Sequence, residues 1–291
     1  MTPNKYDEHV KTLLTQQRQQ KHNDNNNNNI NKKKNNMGGD NCVVDVRMRR
    51  KTSLVTRRRA VNKMCAQPSL RVYERLHTLL TLHTHTRTHK GPEHVQTVEL
   101  LYQLGIAHRQ CGNLDEAAEC LTSVLGQWTL RHGECHLNTL DATYELALVY
   151  AELDRCDEAL AMFRHVHAGR AAKLGERDES AVLAREQMGC VLRAQGALRE
   201  AGRVYEEVYE LRVEMYGAGD YRSVRTKFWV ARVLGERGKR VRALKLMGEV
   251  YEGFGDLLGE GHDETVVVGE CIDVLRRQLN QMNYCCFRPL L

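Results

Sequence analysis

The sequence predicts an all-α fold, a solenoid of antiparallel helix pairs, and three observations predict it. Gly91, Gly133, Gly175, Gly217 and Gly259 stand 42 residues apart, and seven residues after them come Val98, Leu140, Val182, Val224 and Val266. In the same frame lie small residues at Gly105, Ala147, Gly189 and Ala231, turn residues at Gly112, Asp154, Gly196 and Gly238, and alanines at Ala117, Ala159, Ala201 and Ala243. An interval this strict marks a repeat protein. Helices approach closely only where side chains are small, so the small residue and the alanine belong to the two facing helices of one hairpin. Apolar residues then recur at helical spacing, as in Ala159, Phe163 and Val166 or Ala201, Tyr205 and Val208, which requires one face to be buried against a neighbouring pair.

Taken in order, residues 1–67 form an arm without a fixed fold. Nine of the fourteen residues from Asn23 to Asn36 are asparagine, too little apolar surface to offset the entropy of ordering. Residues 68–90 carry Leu70, Val72, Tyr73, Leu76, Leu79, Leu80 and Leu82, the pattern of a degenerate half repeat or capping helix. Its end holds the run His83-Thr-His-Thr-Arg-Thr-His89, read as a solvated simple-sequence linker rather than a metal site, since no cysteine or carboxylate completes a tetrahedral set. Residues 91–291 form the array: units 91–132, 133–174, 175–216 and 217–258, and a partial unit 259–291. Each Gly112-type residue takes the left-handed conformation that ends the first helix, with Asp154 the tolerated exception. In the last unit Asp273 and Asn280 replace the small and turn residues, so a single helix is expected, with Asp263, Glu264, Glu270, Asp273, Arg276 and Arg277 as its polar outer face.

These positions resemble the tetratricopeptide repeat family in the 42-residue form of kinesin light chains. The family pattern runs through Leu146, Ala147, Tyr150, Asp154, Ala159, Phe163 and Val166, and again through Met188, Gly189, Leu192, Gly196, Ala201, Tyr205 and Val208. The resemblance implies a right-handed superhelical solenoid in which the first helices line a concave groove, and a histidine at His94, His136 and His262 that caps the following helix. It also implies a cargo adaptor that takes acidic, tryptophan-bearing peptides. Asparagines that line the family's groove are replaced here by Tyr102, Tyr144, Glu186 and Phe228. The family's upstream heptad coiled coil has no counterpart in residues 1–90, which argues against a motor subunit.

Charge divides the chain. Residues 1–90 carry 19 Lys and Arg against 6 acids, and residues 91–291 carry 24 against 31, so the net +6 is +13 and −7. No apolar stretch approaches a membrane span and no leader pattern opens the chain, so a cytoplasmic protein is expected, with a nuclear one as the alternative. The ten cysteines form no Cys-x-x-Cys pair and read as reduced thiols, and the tail pair Cys285 and Cys286 lacks the basic amphipathic helix that lipid anchoring requires. No phosphate-binding loop, nucleophile elbow or His-Glu-x-x-His pair is present, and the acidic pairs Asp115–Glu116 and Asp157–Glu158 open second helices, where the helix dipole favours them. No catalytic residue, metal or cofactor is assigned, and the chain reads as a non-enzymatic adaptor for a protein or peptide.

Function then rests on outward positions of the first helices. In frame these are Glu99, Tyr102, Ile106 and Arg109; Asp141, Tyr144 and Leu148; Glu186, Cys190 and Arg193; Arg225, Phe228 and Arg232; Glu270, Val274 and Arg277. The candidate peptide-binding residues are Arg193, Arg225, Phe228, Arg232 and Arg277, with Tyr102, Tyr144 and Arg109. Arg225, Phe228 and Arg232 share a helix face and suit an aromatic residue flanked by carboxylates. The competing reading makes residues 220–245, with nine basic residues against Asp220 and Glu236, a solvated ridge paired with the acidic helix 200–214. An alternative function uses the arm, where Arg47, Arg49, Arg50, Lys51, Arg57, Arg58, Arg59 and Lys63 resemble a bipartite nuclear-import signal or bind RNA phosphates nonspecifically. Thr52 and Ser53 are candidate kinase sites within it.

Overall fold

The computed structural model describes the backbone of residues 70–286 and the side chains of residues 71–280. The Asn-rich tract, both basic clusters, Thr52 and Ser53 lie outside the described residues, and so do the side chains of Cys285 and Cys286.

Ten helices and no strand occur among the described residues: α1 Leu70–Lys90, α2 Val95–Gln110, α3 Leu114–His132, α4 Leu137–Glu152, α5 Cys156–Leu174, α6 Glu179–Ala194, α7 Leu198–Tyr216, α8 Tyr221–Glu236, α9 Arg240–Leu258 and α10 Asp263–Cys286. They belong to two compact units divided between Asn113 and Leu114. The first contains α1 packed on α2, and in the second each of α3 to α9 packs on the next helix in the chain. The division falls inside the expected unit 91–132.

The same local chemistry recurs at every step. The glycine that closes each second helix has φ between 91° and 97° at Gly91, Gly175 and Gly259, a region closed to most L residues. Three residues on, a side chain caps the next helix. His94, His136 and His262 accept the backbone N–H of Gln96, Asn138 and Glu264 through Nδ1 at 3.2, 3.3 and 3.3 Å. Asp178 and Asp220 do the same for Ser180 and Arg222 at 2.9 and 2.8 Å. Thr97 and Thr265 reach back to the carbonyls of Gly91 and Gly259, both at 2.9 Å, which ties the turn to the first helical turn. At the inner turn Asp154 has φ 62° and is the one non-glycine residue with positive φ among those described. An aspartate tolerates that conformation because its short polar side chain bonds locally.

The core is a ribbon of facing positions. Ala159, Ala201 and Ala243 are fully buried, as are Phe163 and Tyr205 one turn on and Val166, Val208 and Val250 beyond them. Gly189 lets the Tyr205 ring approach so closely that a Cβ there would stand 3.0 Å from it. Val98, Leu140, Val182 and Val224 are buried. In α4 and α8 this residue lies against Gly169 of α5 and Gly253 of α9, the second helix of its own unit.

As expected where Asp273 and Asn280 replace the small and turn residues, α10 runs on as a single helix through Asn280, and Val266 is 46% exposed, unlike its four counterparts, since no second helix folds back over it among the described residues. One expectation needs correction. The run His83 to His89 is helical, part of α1, and not a linker. Thr84, Thr86 and Thr88 donate to the carbonyls of Thr81, His83 and His85 at 2.9, 3.1 and 2.9 Å, which satisfies hydroxyls that would otherwise compete with the helix. His83 is buried, and burial together with the Arg87 guanidinium lowers its pKa.

Candidate functional site

In the second unit the outward faces of α4, α6, α8 and α10 carry the candidate residues, and they differ from one another in what is exposed. On α4, Tyr144 is half-buried, with the Phe163 ring edge-on at 5.5 Å and the Arg170 guanidinium 4.9 Å from its ring centroid. Burial, and next the Glu145 carboxylate, push its hydroxyl up to about 12. Arg170 is buried and bridges helices. It donates to Asp141 on α4 at 2.5 Å and to the Ser180 carbonyl on α6 at 2.9 Å.

On α6 the expected groove residues Glu186 and Cys190 turn inward. Glu186 is 1% exposed and accepts two hydrogen bonds from Arg212, both at 3.1 Å, while Arg212 also meets Glu179 at 3.0 Å and Thr226 at 2.6 Å. Arg212 holds the frame position occupied by Trp128 in α3, Arg170 in α5 and Phe254 in α9, all buried. A guanidinium in that apolar slot needs carboxylates at hand, and Glu186 is withdrawn from the surface to supply one. Cys190 takes a hydrogen bond from the Tyr205 hydroxyl at 3.1 Å, and burial raises its thiol pKa.

On α8 the aromatic and basic residues converge. Phe228 is 9% exposed and packs edge-on against Trp229, ring centroids 5.2 Å apart, so the half-buried indole of Trp229 is the more accessible aromatic. Tyr205 stacks on Trp229 at 6.1 Å from within the core. The guanidinium of Arg193, from α6, lies 5.2 Å from the indole centroid and that of Arg232 lies 5.4 Å away. Both groups also address one oxygen of Glu236, Arg193 at 2.8 Å and Arg232 at 3.7 Å. Arg225 is exposed on the same helix, beside Tyr221, whose hydroxyl donates to Glu264 on α10 at 2.8 Å. Burial and then the Glu264 bond raise the Tyr221 pKa.

Arg193, Phe228 and Arg232 are therefore brought together around Trp229, with Arg225 further along α8. Arg277 is exposed on α10, where its Nε donates to the Asp273 carbonyl at 3.2 Å. Tyr102 and Arg109 are half-buried on α2 in the first unit. Sequence reasoning missed Trp229. Its signal was available, since Arg225 and Arg232 stand four residues before it and three after it, the spacing that places cations over a ring on a helix. Other cations of the 220–245 stretch are engaged elsewhere: Lys227 pairs with Glu249 on α9, and Arg222 lies 3.9 Å from the Tyr216 centroid.

Among the described residues no group of three or more His, Cys, Asp or Glu is placed to hold a metal ion, and no helix is long and apolar enough to cross a membrane. The six cysteines with described side chains are free.

These helix pairs, with their glycine joints and capped first helices, define a helix-pair repeat fold. Residues 96–172 and 138–214 match the tetratricopeptide repeat family. No curated protein matches the chain. Among solved structures it is similar to a kinesin-light-chain-like protein of Podosopora anserina with nearly identical TPR-like repeats, at 20% identity and TM-score 0.57 over 70% of this chain and 93% of that one, and to its Q17M variant at 21% and 0.58. It is also similar to BtubC (BKLC) from P. vanneervenii, at 15% identity and TM-score 0.53 over 80% of this chain and 93% of that one. Over residues 96–214 the chain is thus similar to the tetratricopeptide repeat family, and its fold is that of the kinesin-light-chain-like repeats.

Proposed function

We propose that this adaptor binds an extended acidic segment of a partner protein along the first helices of the second unit, with an aromatic side chain seated near Trp229. Arg193, Arg225 and Arg232 read the carboxylates, Phe228 backs the indole, and Tyr144 and Arg277 extend the surface along α4 and α10. Tyr102 and Arg109 hold the same frame positions on α2.

One observation carries the reading. Two guanidiniums from successive first helices flank a single accessible indole and already converge on one carboxylate oxygen, that of Glu236. Such an arrangement is suited to acidic groups, because guanidinium-carboxylate bonds are charge-assisted and roughly twice as strong as neutral ones. The aromatic platform adds contact area at low entropic cost.

The test is fluorescence anisotropy of the full chain with a labelled decapeptide of Glu and Asp around one Trp. Binding that weakens at least tenfold in Arg225→Glu/Arg232→Glu, with helicity by circular dichroism unchanged, supports the reading. Equal affinity of the variant, or equal binding of a peptide with Lys in place of every acid, would discard it.

A further inference from the structure

We infer that Glu236 is a built-in competitor that holds the Arg193 and Arg232 guanidiniums closed over Trp229, so that a partner carboxylate binds by taking its place; this rests on the acidic-segment reading above.

Arg193 comes from the last turn of α6, whereas Arg232 and Glu236 sit one turn apart near the end of α8. The glutamate is thus the point at which cations from two successive first helices meet. Its Oε1 accepts from Arg193 Nη1 at 2.8 Å and stands 3.7 Å from Arg232 Nε. The three side chains are only partly exposed, 15% for Arg193, 41% for Arg232 and 27% for Glu236, so screening by solvent is incomplete. Arg193 and Arg232 each lie within cation–π range of Trp229, which makes the indole accessible only as far as those guanidiniums allow.

An acidic segment arriving here meets a carboxylate already bound. Exchange replaces one guanidinium-carboxylate pair by another, so a single incoming acid gains little over the resident one. A segment with several acids gains more, because Arg225, exposed on the same helix beside Tyr221, is engaged at the same time. The device therefore discriminates against isolated carboxylates and against free acidic side chains of bystander proteins. Binding to Arg225 first and to the Arg193–Arg232 pair second gives the surface a threshold in charge that arginines alone would lack.

Glu236→Gln keeps the side-chain shape and removes the charge. Loss of this partly exposed ion pair, together with relief of repulsion toward the incoming acid, tightens binding about three- to tenfold. The experiment measures the same labelled Glu/Asp/Trp decapeptide, and one of equal length with a single Glu beside the Trp, on the full chain and on Glu236→Gln, Glu236→Ala and Arg225→Glu/Arg232→Glu. Tighter binding of both peptides by both Glu236 variants, with the larger gain for the single-acid peptide, supports the competitor. If the arginine variant loses binding while the Glu236 variants bind as the wild type does or more weakly, the competitor is wrong and the acidic site stands. Should the arginine variant bind as well as the wild type, the site itself is discarded and the competitor with it.

Discussion

Arg212 of α7 and Glu186 of α6 form a two-bond ion pair in which both side chains are 2% exposed or less. Thr226 of α8 accepts from the same guanidinium and in turn donates to the Arg222 carbonyl at 2.8 Å, so one buried cation fastens two successive first helices to the second helix between them. Removing one partner strands a buried charge, which costs about 3–5 kcal/mol when nothing else compensates. Glu179, 29% exposed and 3.0 Å from Arg212, lessens that loss for Glu186 variants. Glu186→Leu and Arg212→Met are each expected to lower stability by about 2–4 kcal/mol, and the double variant to lie closer to the wild type than either single one. Urea unfolding of the four chains measures the coupling; strict additivity would show that the pair is not a unit.

Ala201 is fully buried where α7 meets α6, in a core that includes Tyr205 and Val208. Ala201→Leu adds three carbons to a filled interior, and the expected loss is about 1–3 kcal/mol with the helical circular-dichroism signal retained. The denaturation midpoint reports it.

Asp154 takes φ 62° where the matching residues of the other three complete units, Gly112, Gly196 and Gly238, are glycine. Asp154→Val puts a β-branched residue in the left-handed region, and the expected cost is about 1–2 kcal/mol. Replacing Gly196 by the same residue is expected to cost at least as much, since φ there is 82°. Thermal melts of the two variants provide the comparison.

His83 has its pKa lowered by burial and then by Arg87, and His167 by burial and then by Arg185. The unfolded chain therefore binds protons first as pH falls below the ordinary histidine value of about 6.5. Stability from these groups is complete above that value and declines as pH drops from there toward the lowered folded-state values. The melting temperature is expected to fall between pH 7 and pH 5, and His83→Gln to lose less over that interval than the wild type does.

The frame was legible because turns and close approaches restrict residue type. Gly91 to Gly259, Asp154 and Ala159 to Ala243 stand where only such residues fit, so the helix pairs, the caps at His94, His136 and His262, and the inner turns are all visible as a pattern. The polar interior was not legible in the same way. Reading Glu186 by its helix face places it outward, and only the arginines at Arg170 and Arg212, in a slot filled by Trp128 and Phe254 elsewhere, signal that carboxylates are drawn to it. Trp229 was overlooked for a related reason. A face defined by Arg225, Phe228 and Arg232 selects the wrong neighbour, because the larger indole spreads sideways over Tyr205 and stays open while Phe228 is covered. The threonine hydroxyls around His83 to His89 return to their own helix, a local satisfaction that residue alternation does not reveal.

The glycine joints at Gly133, Gly175 and Gly217 have φ of 85°, 97° and 89°, nearly the same backbone bend each time. A gene could therefore lose or duplicate one whole 42-residue block with the splice falling on matching bends, changing the length of the structure while leaving every hinge intact. The blocks are nonetheless not interchangeable in kind. Arg212 and its carboxylates Glu179 and Glu186 lie within one block and Thr226 in the next, so deletion of that next block would take a buried hydroxyl partner from the guanidinium while leaving its ion pair whole.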